Sequence, residues 1–215
     1  YTALSATASI SGYYRFAIEG AHHFNPRHRL AYRIEARSLP TRIWGLDYNS
    51  SLDNPRGRYT SKKYHGWVDY RYNFTRHIFI SATADYQYIE ATNIDYTASA
   101  VIAQRIKKVY GAGIGTALGI DTRNSEINAQ RGIYFCIEAM LRPSILGNIS
   151  HDLWRASTTF DYYQPLWRGG MLAVDIYGEY HSAGTPWLLR ANLGSDYRMR
   201  GYYPGRFNGE CMATA

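Results

Sequence analysis

The sequence alternates apolar and polar side chains with a period of two, and it sustains that alternation over runs of about ten residues. In "MLAVDIYGEYH" (171–181), Leu172, Val174, Ile176 and Tyr180 oppose Asp175, Tyr177, Glu179 and His181. In "RASTTFDYY" (155–163), Ala156, Thr158, Phe160 and Tyr162 oppose Arg155, Ser157, Thr159 and Asp161. A helix cannot place such residues on opposite faces, because its period is 3.6. The pattern admits only pleated strands, each with one greasy side and one polar side.

The same rhythm runs through most of the chain. It recurs in "YRFAIEGAHHF" (14–24), "RLAYRIEAR" (29–37), "WVDYRYNF" (67–74) and "HIFISATADYQY" (77–88). It continues in "GAGIGTALGID" (111–121) and "IYFCIEAML" (133–141), and more weakly in "LSATASIS" (4–11). The connections alternate as well. "NPRH" (25–28), "NFTRH" (73–77) and "WRGG" (167–170) are short, whereas 38–63, 89–110, 142–152 and 182–209 are long. "TRNSEINAQRG" (122–132) is intermediate and falls where a short turn is due. Short turns at one end and long loops at the other are the layout of outer-membrane barrels.

A soluble barrel or a β-sandwich shares the period of two, but sandwich strands are commonly nearer five or six residues. A tilted strand that crosses a bilayer needs about ten. The polar faces here mix signs at close spacing, as in Arg33, Glu35 and Arg37, so that an enclosed lumen would neutralise itself locally. Aromatic residues cluster at strand ends, among them Tyr14, Phe24, Phe74, Tyr88, Trp154 and Trp167, where interfacial girdles form. The expected fold class is therefore all-β, an antiparallel transmembrane β-barrel with about nine or ten strands in this chain. Residues 1–215 are read as a single domain.

Composition excludes other classes. Of 215 residues, 21 are Tyr and 19 Gly, which argues against helix bundles. The mean hydropathy is −0.39, and no apolar run is long enough for a membrane helix. The net charge of +7 comes from Lys and Arg scattered among apolar residues, without the basic stripe that nucleic acid requires. Cys136 and Cys211 form neither a metal-ligand spacing nor a disulfide framework, and no cofactor is implied. His22, His23, His65 and His181 have no matching serine motif, so no enzyme is expected. Tyr1 opens near a strand without a leader, as expected of a processed or truncated product.

The glycine-rich stretch "SDYRMRGYYPGRFNGE" (195–210) lies in the last long connection. Its Met199-Arg200-Gly201-Tyr202 resembles the conserved surface loop of the BamA/TamA outer-membrane assembly family, also called the bacterial surface antigen family. There a hydrophobic residue precedes Arg-Gly and Phe or Tyr. "GIDTRNSEINAQRGIYF" (119–135) is similar to the family's strand–turn–strand, with Gly119, Asp121, Arg123, Arg131 and Gly132 in matching places. "TTFDYYQPL" (158–166) is similar to a strand preceding the loop. The likeness covers roughly 110–215 and extends upstream through strand pattern only.

The resemblance implies a sixteen-stranded barrel whose loop folds back into the lumen, with its arginine paired to an acid on the wall. Arg200 would then be an anchor, Gly201 would permit close approach and Tyr202 would stack on the wall. The acids offered to it are Asp121, Asp161, Asp175 and Glu179. Against sixteen strands, the chain is expected to lack the final strands, the first ones and the periplasmic POTRA domains. The implied location is the cell outer membrane. The implied partners are outer-membrane lipid, client outer-membrane proteins and assembly accessory proteins. The implied function is assistance in inserting, assembling or translocating proteins there. The alternative is a barrel without POTRA domains that acts as a pore or as a membrane anchor for another domain.

The glycines at 111, 113, 115 and 119 are read as relieving crowding where the returning loop lies close.

Overall fold

The computed structural model describes residues 1–44, 57–102, 105–194, 201, 203 and 205–215. It is all-β, built around one antiparallel sheet of ten strands. In chain order these are β1 (Thr2–Ala8), β2 (Tyr14–Asn25), β3 (His28–Ile43), β4 (Gly57–Asn73) and β5 (Ile78–Thr92). They continue with β6 (Lys108–Asp121), β7 (Gly132–Arg142), β8 (Leu153–Trp167) and β9 (Gly170–His181). A hairpin of β10 (Ala191–Leu193) and β11 (Phe207–Gly209) interrupts the chain, and β12 (Cys211–Thr214) then returns to pair with β9. Each strand from β1 to β9 pairs with the next in sequence, and β1 and β12 are the two edges.

Register aligns the alternating faces across the whole sheet. Tyr32 pairs with Val68, Val68 with Ala84, Ala84 with Ile114, Ile114 with Leu141 and Leu141 with Trp154, a continuous apolar row across β3 to β8. On the other face Arg33 pairs with Trp67, Trp67 with Asp85 and Asp85 with Gly113. A slip of one residue would exchange these faces throughout.

The faces are inverted relative to a water-soluble sheet. Ile34 is 61% exposed and its neighbour Glu35 only 6%; Ile114 is 57% exposed, whereas Asp85 is 7%. The charged side is sequestered because the sheet curls about it: residues of β2, β3, β4, β5, β7, β8 and β9 line one cavity of about 650 Å³.

Several strands outrun the ten residues expected, with β3 reaching 16 and β4 17. Both extend into the connection read as 38–63, and β3 carries Pro40 within it. The pairing of β2 with β3 stops at Ser38, so among the described residues Pro40 has β4 as its only neighbouring strand, a position that tolerates a missing N–H.

The connection 89–110, read as irregular, contains a short helix, α1 (Tyr96–Ile102). Asp95 caps it by accepting the Ala98 N–H at 2.6 Å. Ala98 and Ile102 face a small apolar core with Ile43, Ala91 and Trp187. This core closes the long-loop end of the sheet.

The connection 142–152 holds a 3-10 turn, Ser144–Leu146, tied down by Asp152, whose Oδ1 accepts the Ser144 N–H at 2.8 Å. That bond holds the Asp152 carboxyl below its ordinary range. A group whose folded pKa is depressed stabilises the fold above its unfolded pKa and loses that contribution as pH falls through the folded one. Protection of the Ser144 amide, corrected for intrinsic exchange, should therefore decline as pH drops below about 4. In Asp152→Asn the decline should be absent.

Candidate functional site

The concave face carries polar groups, and four clusters of them stand out among the described residues. Near the long-loop end, Glu35 is a hub: Arg15 approaches it at 3.3 Å, Arg33 at 3.7 Å and Arg37 at 3.8 Å. Arg15 on β2, Arg37 on β3 and Lys63 on β4 are direct cross-strand partners, so three cations share one level of the wall.

Deeper in the sheet, Arg142 Nη2 donates to Asp85 Oδ2 at 2.6 Å, and His65 Nε2 lies 3.3 Å from the same oxygen. A third cluster joins β7, β8 and β9. Arg155 donates to Glu138 at 2.8 Å and lies 3.9 Å from Glu179, which is also bound by Tyr177 and His181 at 2.9 and 2.7 Å.

The fourth cluster sits at the short-turn end and contains the strand–turn residues singled out from sequence. Arg123 folds back on Asp121 with three bonds: its backbone N–H at 3.1 Å, Nε at 3.0 Å and Nη2 at 2.8 Å. The guanidinium lies 4.3 Å over the Tyr134 ring and 4.0 Å from Asp161. Asp121 and Arg123 are mostly buried, so the pair is more than a solvated strand-end contact. Gly132 adopts φ +110, where a Cβ would collide with the Thr122 carbonyl. The turn closes through Thr122, whose N–H donates to the Ile133 carbonyl at 2.8 Å.

At Gly119 a Cβ would enter the Phe79 ring, and Arg71 caps that ring at 3.9 Å. Gly113 leaves room for Asp85 and Arg142, and Gly111 for Gly147 of the β7–β8 connection. The crowding on β6 thus comes from neighbouring strands and the 143–152 segment. The returning loop contributes Leu189 to a small cleft beside Gly111.

The described residues of that loop, 182–210, line the large cavity at its long-loop end, through Thr185, Trp187, Leu189, Arg190, Tyr203 and Asn208. Trp187 is buried, donates its Nε1–H to the Ile106 carbonyl at 2.8 Å and meets Tyr59 edge-on at 5.4 Å. Asn208 donates to the Trp187 carbonyl at 3.0 Å, and Arg190 lies 3.8 Å from Glu210. Tyr203 rests against Trp44 at 5.2 Å, with the Arg42 guanidinium 5.3 Å over its ring.

Of the loop motif, Met199, Arg200 and Tyr202 lie outside the described residues. Gly201 is exposed, and a Cβ there would meet nothing within 4 Å. Among the acids offered to Arg200, Asp121 is occupied by Arg123 and Glu179 by Tyr177, Arg155 and His181. Asp161 is buried beside Arg123, whereas Asp175, its cross-strand partner, is exposed.

The residues that sequence reasoning passed over are Asp85, Arg142 and Trp187. Asp85 and Arg142 are far apart in the chain and meet only across β6, where Gly113 intervenes. A small residue on the polar face, flanked by an acid and a base on the adjoining strands, is the one sequence signal that could have joined them. No protein-family model matches the chain, and no curated protein matches it at a significant level.

Proposed function

We propose that this chain is outer-membrane β-barrel material of the BamA/TamA-like kind, assisting the insertion, assembly or translocation of other proteins at that membrane. The observation that carries the membrane part is the inverted sheet: aliphatic side chains on the convex face, ionised ones enclosed on the concave face. In water, an apolar surface this continuous across β2 to β9 would aggregate. In a bilayer it is the required arrangement, since acyl chains cannot solvate charge.

Aromatic rows flank the apolar band. At the long-loop end the hydroxyls of Tyr14 and Tyr64 lie 3.1 Å apart, Tyr64 and Tyr88 are 5.8 Å apart, and Trp154 and Tyr180 5.0 Å. At the other end stand Phe24, Tyr72, Phe74 and Trp167. From Tyr64 to Phe74 the chain rises roughly 33 Å at about 3.3 Å per residue. At a tilt near 40° that spans about 25 Å of membrane normal, the height of an outer-membrane apolar band.

The assembly part is supported by the engaged Gly119–Asp121–Arg123–Gly132 turn and by the described residues of the last long loop, which line the cavity. The pore reading has one observation in its favour, the cavity of about 650 Å³ with Arg15, Arg37 and Lys63 on its wall.

Substitution on the two faces tests the membrane reading. Ile176→Arg, on the convex face, should cost about 2–4 kcal/mol in folding into vesicles, as a guanidinium near the midplane does. Tyr177→Arg, on the concave face of the same strand, should cost clearly less. Equal losses, read from urea unfolding of the vesicle-bound protein, would overturn the reading. Assembly and pore are separated by adding an unfolded second barrel protein to vesicles carrying this chain. Faster folding of the second protein supports assembly; conductance without acceleration supports the pore.

A further inference from the structure

The short turns share a feature that neither reading uses. Each carries one exposed arginine: Arg27 between β2 and β3, Arg76 between β4 and β5, Arg131 between β6 and β7, and Arg168 between β8 and β9. The antiparallel meander brings all four to the same end of the sheet. All four are exposed, and none has an ion-pair partner among the described residues. The neighbouring acids are engaged elsewhere: Asp121 binds Arg123, and Glu126 faces Arg29 at 3.9 Å.

The backbone beneath several of these arginines is held in place. Asn25 Oδ1 accepts the N–H groups of Arg27 and His28 at 2.9 and 3.0 Å. Thr75 Oγ1 accepts those of His77 and Ile78 at 3.3 and 3.1 Å, flanking Arg76. Asn124 Oδ1 accepts those of Gln130 and Arg131 at 2.9 and 3.2 Å. These side-chain caps fix the turns while leaving the guanidiniums free.

Three of the four stand next to an exposed aromatic ring: Phe24 before Arg27, Phe74 before Arg76 and Trp167 before Arg168. Beside Arg131 the exposed large apolar side chains are Ile127 and Ile133. A row of like charges repels itself unless a counter-charge is supplied. Aromatic rings seek the headgroup level of a bilayer, and a guanidinium fits a phosphate with two parallel bonds.

We propose that the short-turn end of the sheet is a docking surface for anionic phospholipid, with Arg27, Arg76, Arg131 and Arg168 on the phosphate groups and the neighbouring rings seated just inside them. The proposal rests on the membrane reading above, and it adds which lipid chemistry that end of the protein selects.

The test is lipid selectivity at the protein boundary. The chain is folded into phosphatidylcholine vesicles containing trace spin-labelled phosphatidylglycerol or spin-labelled phosphatidylcholine, and the motionally restricted fraction of each label is measured. Phosphatidylglycerol should be preferred by about fivefold at low salt, the size of one arginine contact with an anionic surface. The preference should fall towards unity in about 1 M salt, where the screening length shrinks to about 3 Å. It should also vanish in R27Q/R76Q/R131Q/R168Q, whose changes are confined to exposed turns. Equal restriction of the two labels in the wild type, or a preference surviving in the quadruple variant, would overturn the proposal and leave the membrane reading intact. Failure of the wild type to enter the vesicles at all would remove both.

Discussion

Asp85→Ala should destabilise the folded protein by about 3–5 kcal/mol, the cost of stranding a buried cation. Asp85 is almost completely enclosed, and Arg142 and His65 both converge on its Oδ2. Removing the carboxylate leaves the Arg142 guanidinium, which lines the same cavity as Arg155 and Lys63, with no acid partner among the described residues. Unfolding in urea, followed by tryptophan fluorescence in vesicles, would measure the loss. Asp85→Ala/Arg142→Met should recover part of it, because the uncompensated charge disappears together with its partner. A loss below about 1 kcal/mol for the single variant, the scale of a solvent-screened pair, would mean that water reaches the site freely.

Trp187→Ala is the second large effect, about 3–5 kcal/mol for a buried tryptophan, and its consequence is local. Trp187 joins the β9–β12 excursion to α1, Tyr59 and the Ile106 carbonyl. Without it, the excursion should detach from the mouth of the cavity while the ten-stranded sheet persists. Limited proteolysis read by mass spectrometry should show new cleavage between His181 and Cys211, with far-ultraviolet circular dichroism unchanged. An unaltered fragment pattern would show that Arg190, Asn208 and Tyr203 hold the segment unaided.

The main sheet was legible in the sequence because its faces differ so sharply. Ile176 and Tyr177 are adjacent residues with opposite surroundings, and a period of two records that directly. The short turns were legible for the same reason: "NPRH", "NFTRH" and "WRGG" break the alternation. The Asp121–Arg123 pair could be seen as a motif, although its depth could not, since depth depends on Tyr134 and Asp161 arriving from the adjoining strands.

What escaped was whatever depends on contacts between distant parts of the chain. The tetrapeptide "TASA" has no amphipathic stripe; α1 forms there because Asp95 caps it and Trp187 covers it. The extension of β3 through Pro40 was hidden because a proline normally argues against a strand, and only the loss of β2 as a neighbour permits it. The glycines of β6 do relieve crowding, but from neighbouring strands and not from the returning loop as expected: the crowding groups include Phe79 and the Asp85–Arg142 pair, which cross-strand register brings there.

Pairing from β1 to β9 follows chain order, so every hairpin can zip onto the one before it with little chain to gather. The junction of β12 with β9 is the exception, since it must await the whole stretch from Ser182 to Glu210. In a refolding time course, the Cys211–Tyr180 contact should therefore be the last to gain amide protection, a lag set by connectivity rather than by strand strength.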